Sequence, residues 1–381
     1  MKGVAILGAT GSIGKSALRV LDQHPERFRA VALTANRSGD LLRSLAGRYR
    51  PSLAVVADGP VPAGTDGPTV WRTGREALLE AATHPEADVV LNALVGAAGL
   101  EPTLAALAAG KRVALANKES LVCGGPLVLA AARAGGGELV PVDSEHSAIL
   151  QCLHGSAPED VARLVLTASG GPFRGVPPER LEAVTPADAL RHPTWDMGAK
   201  VTIDSATLAN KALEVIEAHF LFGVPYAAIE AVVHPQSIIH SFVEMVDGSV
   251  LAQLGFPTME LPVLYALTHP ERLPYAARRF DPVAAGPLTF EPVRRECFPA
   301  FGLGVEAGRV GGTAPAVFNA ANEVAVAAFL AGRLPFPGIA RAIQAALEAW
   351  PGGRASSLQE VLEADAWARR ATETFVREAL S

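Results

Sequence analysis

The chain has 381 residues, 49% of them hydrophobic and 19% charged, with a formal net charge of −6. That is the balance of a globular protein, and the absence of any basic block argues against nucleic acid or an anionic membrane as its main partner. At about 150 residues per domain the length fits two or three domains.

Cys123, Cys152 and Cys297 are far apart, form no C-x-x-C pair and read as free thiols in a reducing compartment. The apolar run after Met1-Lys2 is too short for a signal-peptide core and leads into glycines. No segment approaches about 18 unbroken apolar residues, so nothing is expected to span a membrane. The expected location is cytoplasmic.

Taken in chain order, short apolar runs alternate with helical patterns up to Val142. The runs are Val4–Leu7, Ala30–Leu33, Leu53–Val56, Asp88–Leu91, Val113–Leu115 and Leu139–Val142. Continuous rather than alternating apolar runs suit parallel strands covered on both faces. The first run leads into Gly8-Ala9-Thr10-Gly11-Ser12-Ile13-Gly14 and a helix over Lys15–Leu21. A glycine-rich turn between strand and helix is the context of a dinucleotide site, with phosphates at the helix N-terminus. The second run ends in Thr34-Ala35-Asn36-Arg37-Ser38, with no acid at its tip for a ribose 2′-hydroxyl. A guanidinium and a hydroxyl there suit a 2′-phosphate, so NADP(H) is expected over NAD(H); a solvated surface arginine is the alternative, and nearby Asp40 argues mildly against.

Two later strands also end in polar clusters, Asn117-Lys118-Glu119 and Asp143-Ser144-Glu145-His146. Each reads singly as a helix cap. Together, at the carboxyl edge of a parallel sheet, they read as a cation and carboxylates beside a bound nicotinamide.

From Ser144 to Leu267 the pattern becomes α+β. A strand over Leu164–Leu166 leads into Thr167-Ala168-Ser169-Gly170-Gly171-Pro172-Phe173, whose glycines let backbone N–H groups approach an anion. His192-Pro193-Thr194-Trp195-Asp196-Met197-Gly198 has the composition of a lid. A plain turn and a core-packing Trp are the bland readings of these two loops. One long helix is expected over Ala206–Phe222, with Ser205 near its start and Asn210, Lys211 and Glu214 sharing a face. That face is either a surface ion pair or a cradle for a phosphate ester. Asp143, Glu145 and Glu214 would supply hard oxygen ligands, favouring Mg²⁺ or Mn²⁺; His146 reads as packing in its helix, with a ligand role as the alternative. Ile229–His234, Ser237–Val246 and Ser249–Leu254 read as strands, the last two a hairpin about Asp247-Gly248. The eight prolines from Pro257 to Pro299, both ends included, read as a semi-rigid connector. Asn319–Leu330, Phe336–Leu347 and Leu358–Leu380 read as helices of a C-terminal bundle.

The expected fold class is therefore α/β. A Rossmann-like parallel sheet (1–143) precedes a central α+β catalytic domain (144–268, with a lid near 190–200). A Pro-rich connector (269–299) and a C-terminal helical domain (300–381) follow.

The motifs GATGSIG, ANKESLV, PVDSEHSAI, SGGPF, HPTWDMG, DSATLANKALEVIEA, HPQSIIHS and FNAANEVAVAAFL occur in this order. Together they closely resemble the 1-deoxy-D-xylulose 5-phosphate reductoisomerase family over nearly the whole chain. The resemblance implies rearrangement and reduction of 1-deoxy-D-xylulose 5-phosphate to 2-C-methyl-D-erythritol 4-phosphate in isoprenoid precursor biosynthesis. It also implies NADPH, a divalent cation and a homodimer. Carried over by motif, Thr10, Gly11, Ser12, Ile13, Asn117, Glu119 and Gly198 fall at cofactor positions, with Asn36, Arg37 and Ser38 at the strand tip. Asp143, Glu145 and Glu214 match metal ligands. Lys118, Ser144, Glu145, Ser169, His192, Ser205, Asn210, Lys211 and Glu214 match substrate contacts; among them Lys118, Glu145 and His192 are the catalytic candidates.

Two departures stand out. The family commonly has Gly-Lys-Asn where this chain has Asn36-Arg37-Ser38, which keeps the charge. It usually shows Pro-Asp-Met-Arg where this chain has Pro257-Thr258-Met259-Glu260, which leaves a structural salt link absent or reversed. From the residues alone, a different NADP-linked oxidoreductase stays open, although no cysteine sits beside an activating base. So does a non-enzymatic NADP-sensing protein, which would have no use for the acidic cluster.

Overall fold

The computed structural model describes residues 1–65, 67–195, 197–276 and 278–379. Its strands are β1 (Lys2–Leu7), β2 (Phe28–Ala35), β3 (Leu53–Val56), β4 (Val70–Thr73), β5 (Val89–Asn92), β6 (Arg112–Leu115), β7 (Glu138–Pro141), β8 (Val161–Ala168), β9 (Ile229–Val233), β10 (Ile239–Met245), β11 (Val250–Leu254) and β12 (Glu291–Pro292). Its helices are α1 (Ser12–Gln23), α2 (Gly39–Tyr49), α3 (Arg75–Ala82), α4 (Leu100–Ala108), α5 (Glu119–Gly135), α6 (Ser144–Cys152), α7 (Pro186–Ala189), α8 (Ala199–Thr207), α9 (Ala209–Phe222), α10 (Glu260–Thr268), α11 (Pro299–Val310), α12 (Ala314–Leu330), α13 (Phe336–Ala349) and α14 (Leu358–Glu378). Leu380, placed in the last helix by its sequence pattern, lies outside the described residues.

The chain divides into two units interleaved in sequence. The first holds Met1–Ser120, Leu127–Ser147 and a segment beginning at Thr258; the second holds Leu121–Pro126, Ala148–Pro257 and the chain from Arg278 onward. These boundaries do not follow the successive blocks 1–143, 144–268, 269–299 and 300–381. The central and C-terminal blocks share one hydrophobic core, which runs from Leu164 and Ile203 to Phe318, Ile343 and Val376.

The first unit is built on a seven-stranded sheet in the order β4-β3-β2-β1-β5-β6-β7. All neighbouring pairs are parallel. Val4–Leu7, Leu53–Val56 and Val89–Leu91 are fully buried, as parallel strands between helices must be. The strand order reverses between β1 and β5, and open α/β sheets bind ligands at such a point, outside the carboxyl ends of the strands. The sequence pattern gave no sign of β4. Val70-Trp71-Arg72-Thr73 is a short edge strand with exposed side chains, so it lacks an apolar run.

The segment after Thr258 is not a bare connector. Helix α10 buries Val263, Leu264, Tyr265 and Leu267, packs on α1 and approaches β6 and β7. Arg19 Nε on α1 donates to Glu260 Oε1 at 2.6 Å, and Thr258 hydrogen-bonds the same carboxylate. At the departing position, Glu260 is thus paired with Arg19 of α1.

In the second unit the sheet runs β11-β10-β8-β9-β12. β8 and β9 are parallel and the other pairs antiparallel. The β10–β11 hairpin turns at Gly248, with φ +85°, and Ser249 N donates to Asp247 Oδ1 at 2.8 Å. Helix α12 packs on α13 and α14 around buried Phe318, Phe329 and Phe336. Helix α11, missed in the sequence, starts with Pro299 in its first turn, where a missing N–H costs nothing.

One long helix over Ala206–Phe222 is corrected to two. Leu208 sits at φ +59°, ψ 13°, ending α8 and starting α9. Ser205 is thereby in the last turn of α8, not near a helix start. Asn210 and Lys211 occupy the first turn of α9. Among the described residues no helix is long and apolar enough to cross a membrane.

Candidate active site

The glycine turn after β1 is shaped by close approach. Gly8 has φ +89°, and a Cβ there would lie 2.7 Å from Ala93 O, next to β5. A Cβ on Gly14 would lie 2.3 Å from Gly8 O, so only glycine lets α1 rest on the turn. Thr10, Gly11, Ser12 and Ile13 form the loop and the first helical turn. Gly11, the N-cap, offers no side-chain cap, and the first turn of α1 carries no acid. A helix start with neither side-chain cap nor acid can take an anion at its positive end.

Asn36, Arg37 and Ser38 are exposed beyond β2. Arg37 is not a free cation: its Nε donates to Asp58 Oδ2 at 2.6 Å. Asp58 went unnoticed in the sequence because it follows β3, and the contact arises from β3 lying beside β2.

Asn117 is fully buried, and its side chain is committed to structure. Its Nδ2 donates to Leu94 O, Gly96 O and Glu119 Oε2, while its Oδ1 accepts from the N–H and hydroxyl of Ser120. Glu119 also accepts from Gly96 N at 3.3 Å. Beside them Lys118 Nζ lies 2.5 Å from Asp143 Oδ2.

Asp143 starts α6 through its main-chain carbonyl, which accepts from Ser147 N at 2.8 Å, and its Oδ1 accepts from Ser144 N at 3.0 Å. Its Oδ2 faces the ammonium. The helix-start role is thus carried by the main chain and Oδ1, while Oδ2 is paired with Lys118. Burial alone would raise the Asp143 carboxyl; the Lys118 charge and the His146 imidazole outweigh it and hold the carboxyl well below the usual range. Ser144 Oγ donates to Glu145 Oε2 at 2.6 Å. His146 is fully buried, its Nδ1 3.7 Å from Asp143 Oδ2.

The second unit collects the other candidates. On the first two turns of α9, Lys211 Nζ pairs with Glu214 Oε2 and donates to Thr167 O, while Asn210 Nδ2 donates to Glu214 Oε1. The shared face is as the helical spacing requires, but it is interior, since Lys211 and Glu214 are 3% and 1% exposed. The simple surface pair is thereby excluded. Helix α9, like α1, has no side-chain cap and no acid in its first turn.

Three hydroxyl and imidazole groups meet beside α8. His192 Nε2 lies 2.9 Å from Ser169 Oγ and 3.1 Å from Ser205 Oγ. His192 Nδ1 accepts from Thr194 N at 3.1 Å and Trp195 N at 2.9 Å, which puts the ring proton on Nε2. Burial lowers the His192 pKa, favouring the neutral ring. Gly170 and Gly171 take φ +82° and +67°, and a Cβ on Gly171 would lie 2.8 Å from Ser205 O. The loop after β8 is thus pressed onto the end of α8. Asp204, buried and unremarked in the sequence, fixes that helix: it pairs with Lys200 Nζ at 2.8 Å and accepts from Asn322 Nδ2 at 2.8 Å. Trp195 faces the His240 ring at 6.4 Å. Gly198 is the exposed N-cap of α8, and Asp196 of the same loop lies outside the described residues.

Models described as 1-deoxy-D-xylulose 5-phosphate reductoisomerase, its C-terminal domain and the DXP reductoisomerase C-terminal domain match residues 4–125, 139–222 and 254–371. The 1-deoxy-D-xylulose 5-phosphate reductoisomerase of Symbiobacterium thermophilum is 55% identical, with 97% of each chain covered. That of Ralstonia nicotianae is 51% identical, covering 99% of this chain and 98% of its own. Among solved structures, the Zymomonas mobilis enzyme in complex with NADPH gives a TM-score of 0.92 at 43% identity, covering 98% of this chain and 99% of that one. A DOX-P reductoisomerase in complex with NADPH, fosmidomycin and magnesium gives 0.93 at 38% identity, covering 99% and 98%.

Proposed function

The chain belongs to the 1-deoxy-D-xylulose 5-phosphate reductoisomerase family, and from that premise we propose how its own residues divide the work. The reaction is the NADPH- and divalent-metal-dependent rearrangement and reduction of 1-deoxy-D-xylulose 5-phosphate to 2-C-methyl-D-erythritol 4-phosphate, a step toward isoprenoid precursors.

The residues present fit both groups. The uncapped start of α1 and the close-packed Gly8 and Gly14 suit a pyrophosphate. An ionised Asp143 beside Glu145 offers the oxygen donors a hard divalent cation takes. When bound, the cation supplies Lewis acidity at the ketone oxygen and NADPH supplies hydride.

In this reading the backbone of Thr10, Gly11, Ser12 and Ile13 holds the cofactor pyrophosphate, and Asn36, Arg37 and Ser38 take the ribose 2′-phosphate. Asn117, Glu119 and Gly198 border the nicotinamide half; with its side chain committed inward and its N–H donated to Asn92 O, Asn117 would act through its main-chain carbonyl. Asp143, Glu145 and Glu214 hold Mg²⁺ or Mn²⁺. Ser169, Ser205, Asn210 and Lys211 bind the substrate phosphate, with the His192 Nε2 proton donated to it. Ser144 and Lys118 contact the sugar; the Lys118 ammonium polarises an oxygen and Glu145 moves a proton.

The observation that carries this assignment is the buried Lys211–Glu214 pair at the start of α9. A phosphate and a cation arriving together can each take one member of that pair, so neither charge is left uncompensated in the interior. The test is kinetic. Asn210→Ala is expected to raise KM for the phosphorylated substrate about tenfold or more, a charge-assisted contact being worth roughly 1.5–3 kcal/mol. NADPH affinity should stay within about twofold; unchanged KM would remove Asn210 from the phosphate site.

Assembly and location belong to the same reading. A homodimer is supported by β11, at the edge of its sheet among the described residues, which exposes Val250, Leu251 and Leu254 where a second copy would cover them. A cytoplasmic setting is supported by Cys123, Cys152 and Cys297, which form no disulfide.

A further inference from the structure

We infer that Asp58 is a specificity-determining residue, competing with the ribose 2′-phosphate for Arg37 and so holding down the preference for NADPH over NADH. The inference rests on the reading of Arg37 as the 2′-phosphate ligand.

The parallel ladder between β2 and β3 continues past both strand ends: Ala57 N donates to Ala35 O and Asp58 N to Asn36 O, each at 2.9 Å. Two backbone bonds therefore fix Asp58 abreast of the β2 tip. Its Oδ2 sits 2.6 Å from both Nε and Nη2 of Arg37. The loop that follows folds back over α2, with Arg43 Nη1 donating to Ala63 O at 2.5 Å.

The Nε/Nη2 edge of a guanidinium is one of the two forks that grip a phosphate bidentately. Here a carboxylate holds it. A 2′-phosphate must displace Asp58 from that edge or approach Arg37 by its other nitrogens with Asp58 still alongside. In both cases it meets a subsite whose local charge is near zero instead of +1. NADH carries a 2′-hydroxyl, which a carboxylate welcomes as an acceptor. The acid that an NAD-type site carries at the tip of β2 is thus supplied here from β3. The pair leaves 79% of the Arg37 side chain and 57% of the Asp58 side chain exposed, so the competition is weak and can be overcome.

The experiment is a fluorescence titration of NADPH and NADH on the full chain, comparing wild type, Asp58→Asn and Arg37→Ala at low salt. Asp58→Asn is expected to tighten NADPH about two- to fivefold, the range of an exposed ion pair, without tightening NADH. The gain should shrink as salt is added. Unchanged or weaker NADPH binding in Asp58→Asn, with Arg37→Ala still weakening NADPH, overturns the inference and leaves the Arg37 assignment standing. If Arg37→Ala binds NADPH like wild type, the assignment of Arg37 falls, and the inference with it.

Discussion

Two cation–carboxylate pairs in this chain have the same chemistry and opposite surroundings. Arg37–Asp58 leaves 79% and 57% of its side chains exposed; Lys211–Glu214 leaves 4% and 1%. The first is screened by water, is worth about 0–1 kcal/mol and can trade partners with a ligand at little cost. The second sits where removing one partner strands a charge, at roughly 3–5 kcal/mol. On the proposed reading, burial separates a subsite that tunes affinity from one that would take ligands of both signs.

The harshest way to break that contrast is Lys211→Met. It should lower kcat/KM for the phosphorylated substrate about a hundredfold or more and cost stability on the scale of a broken buried pair. Adding Glu214→Leu should restore much of the stability in denaturant unfolding but none of the turnover. Recovery of both would mean the pair serves packing alone.

Gly14→Ala comes next, because its Cβ would meet Gly8 O at 2.3 Å and Ala9 Cα at 2.6 Å. Overpacking of about 1–3 kcal/mol in the cofactor turn should weaken NADPH about tenfold or more. Metal affinity is expected to hold, and equal loss of both would point to general misfolding.

A smaller effect is expected from pH. Burial lowers the His192 pKa, so the folded state prefers the neutral ring. Above the unfolded value of about 6.5 that preference makes no difference between states. As pH falls from there toward the folded pKa, the unfolded chain takes up a proton that the folded one resists, and stability declines. His192→Gln should flatten the unfolding midpoint between pH 7 and 5 by that component; an unaltered slope would remove His192 from the acid response. The mildest test is Arg37→Lys, which keeps the charge but loses the planar fork and should weaken NADPH only about two- to threefold in a direct titration.

What could be read beforehand follows from the same physics. Buried parallel strands print continuous apolar runs, so β1, β2, β3, β5, β6 and β7 were legible, while β4, exposed at an edge, was not. The break in the central helix was hidden because a leucine, not a glycine, takes the left-handed conformation at 208. Motif spacing reached Lys211 and Glu214 on one face, since a helix turns every 3.6 residues. It could not reach Asp58 beside Arg37 or Asn322 beside Asp204, because those meetings depend on which strands and helices become neighbours. Nor could it tell that Asn117 faces inward, where Gly99 leaves room for its side chain.

The claim on which the account turns is that Asp143, Glu145 and Glu214 hold one divalent cation. Titration of Mn²⁺ into wild type, Asp143→Asn and Glu214→Gln, followed by electron paramagnetic resonance, tests it most directly. The account predicts about one ion per chain, affinity reduced about a hundredfold in either variant, and NADPH affinity nearly unchanged. Wild-type Mn²⁺ affinity in Glu214→Gln would contradict it.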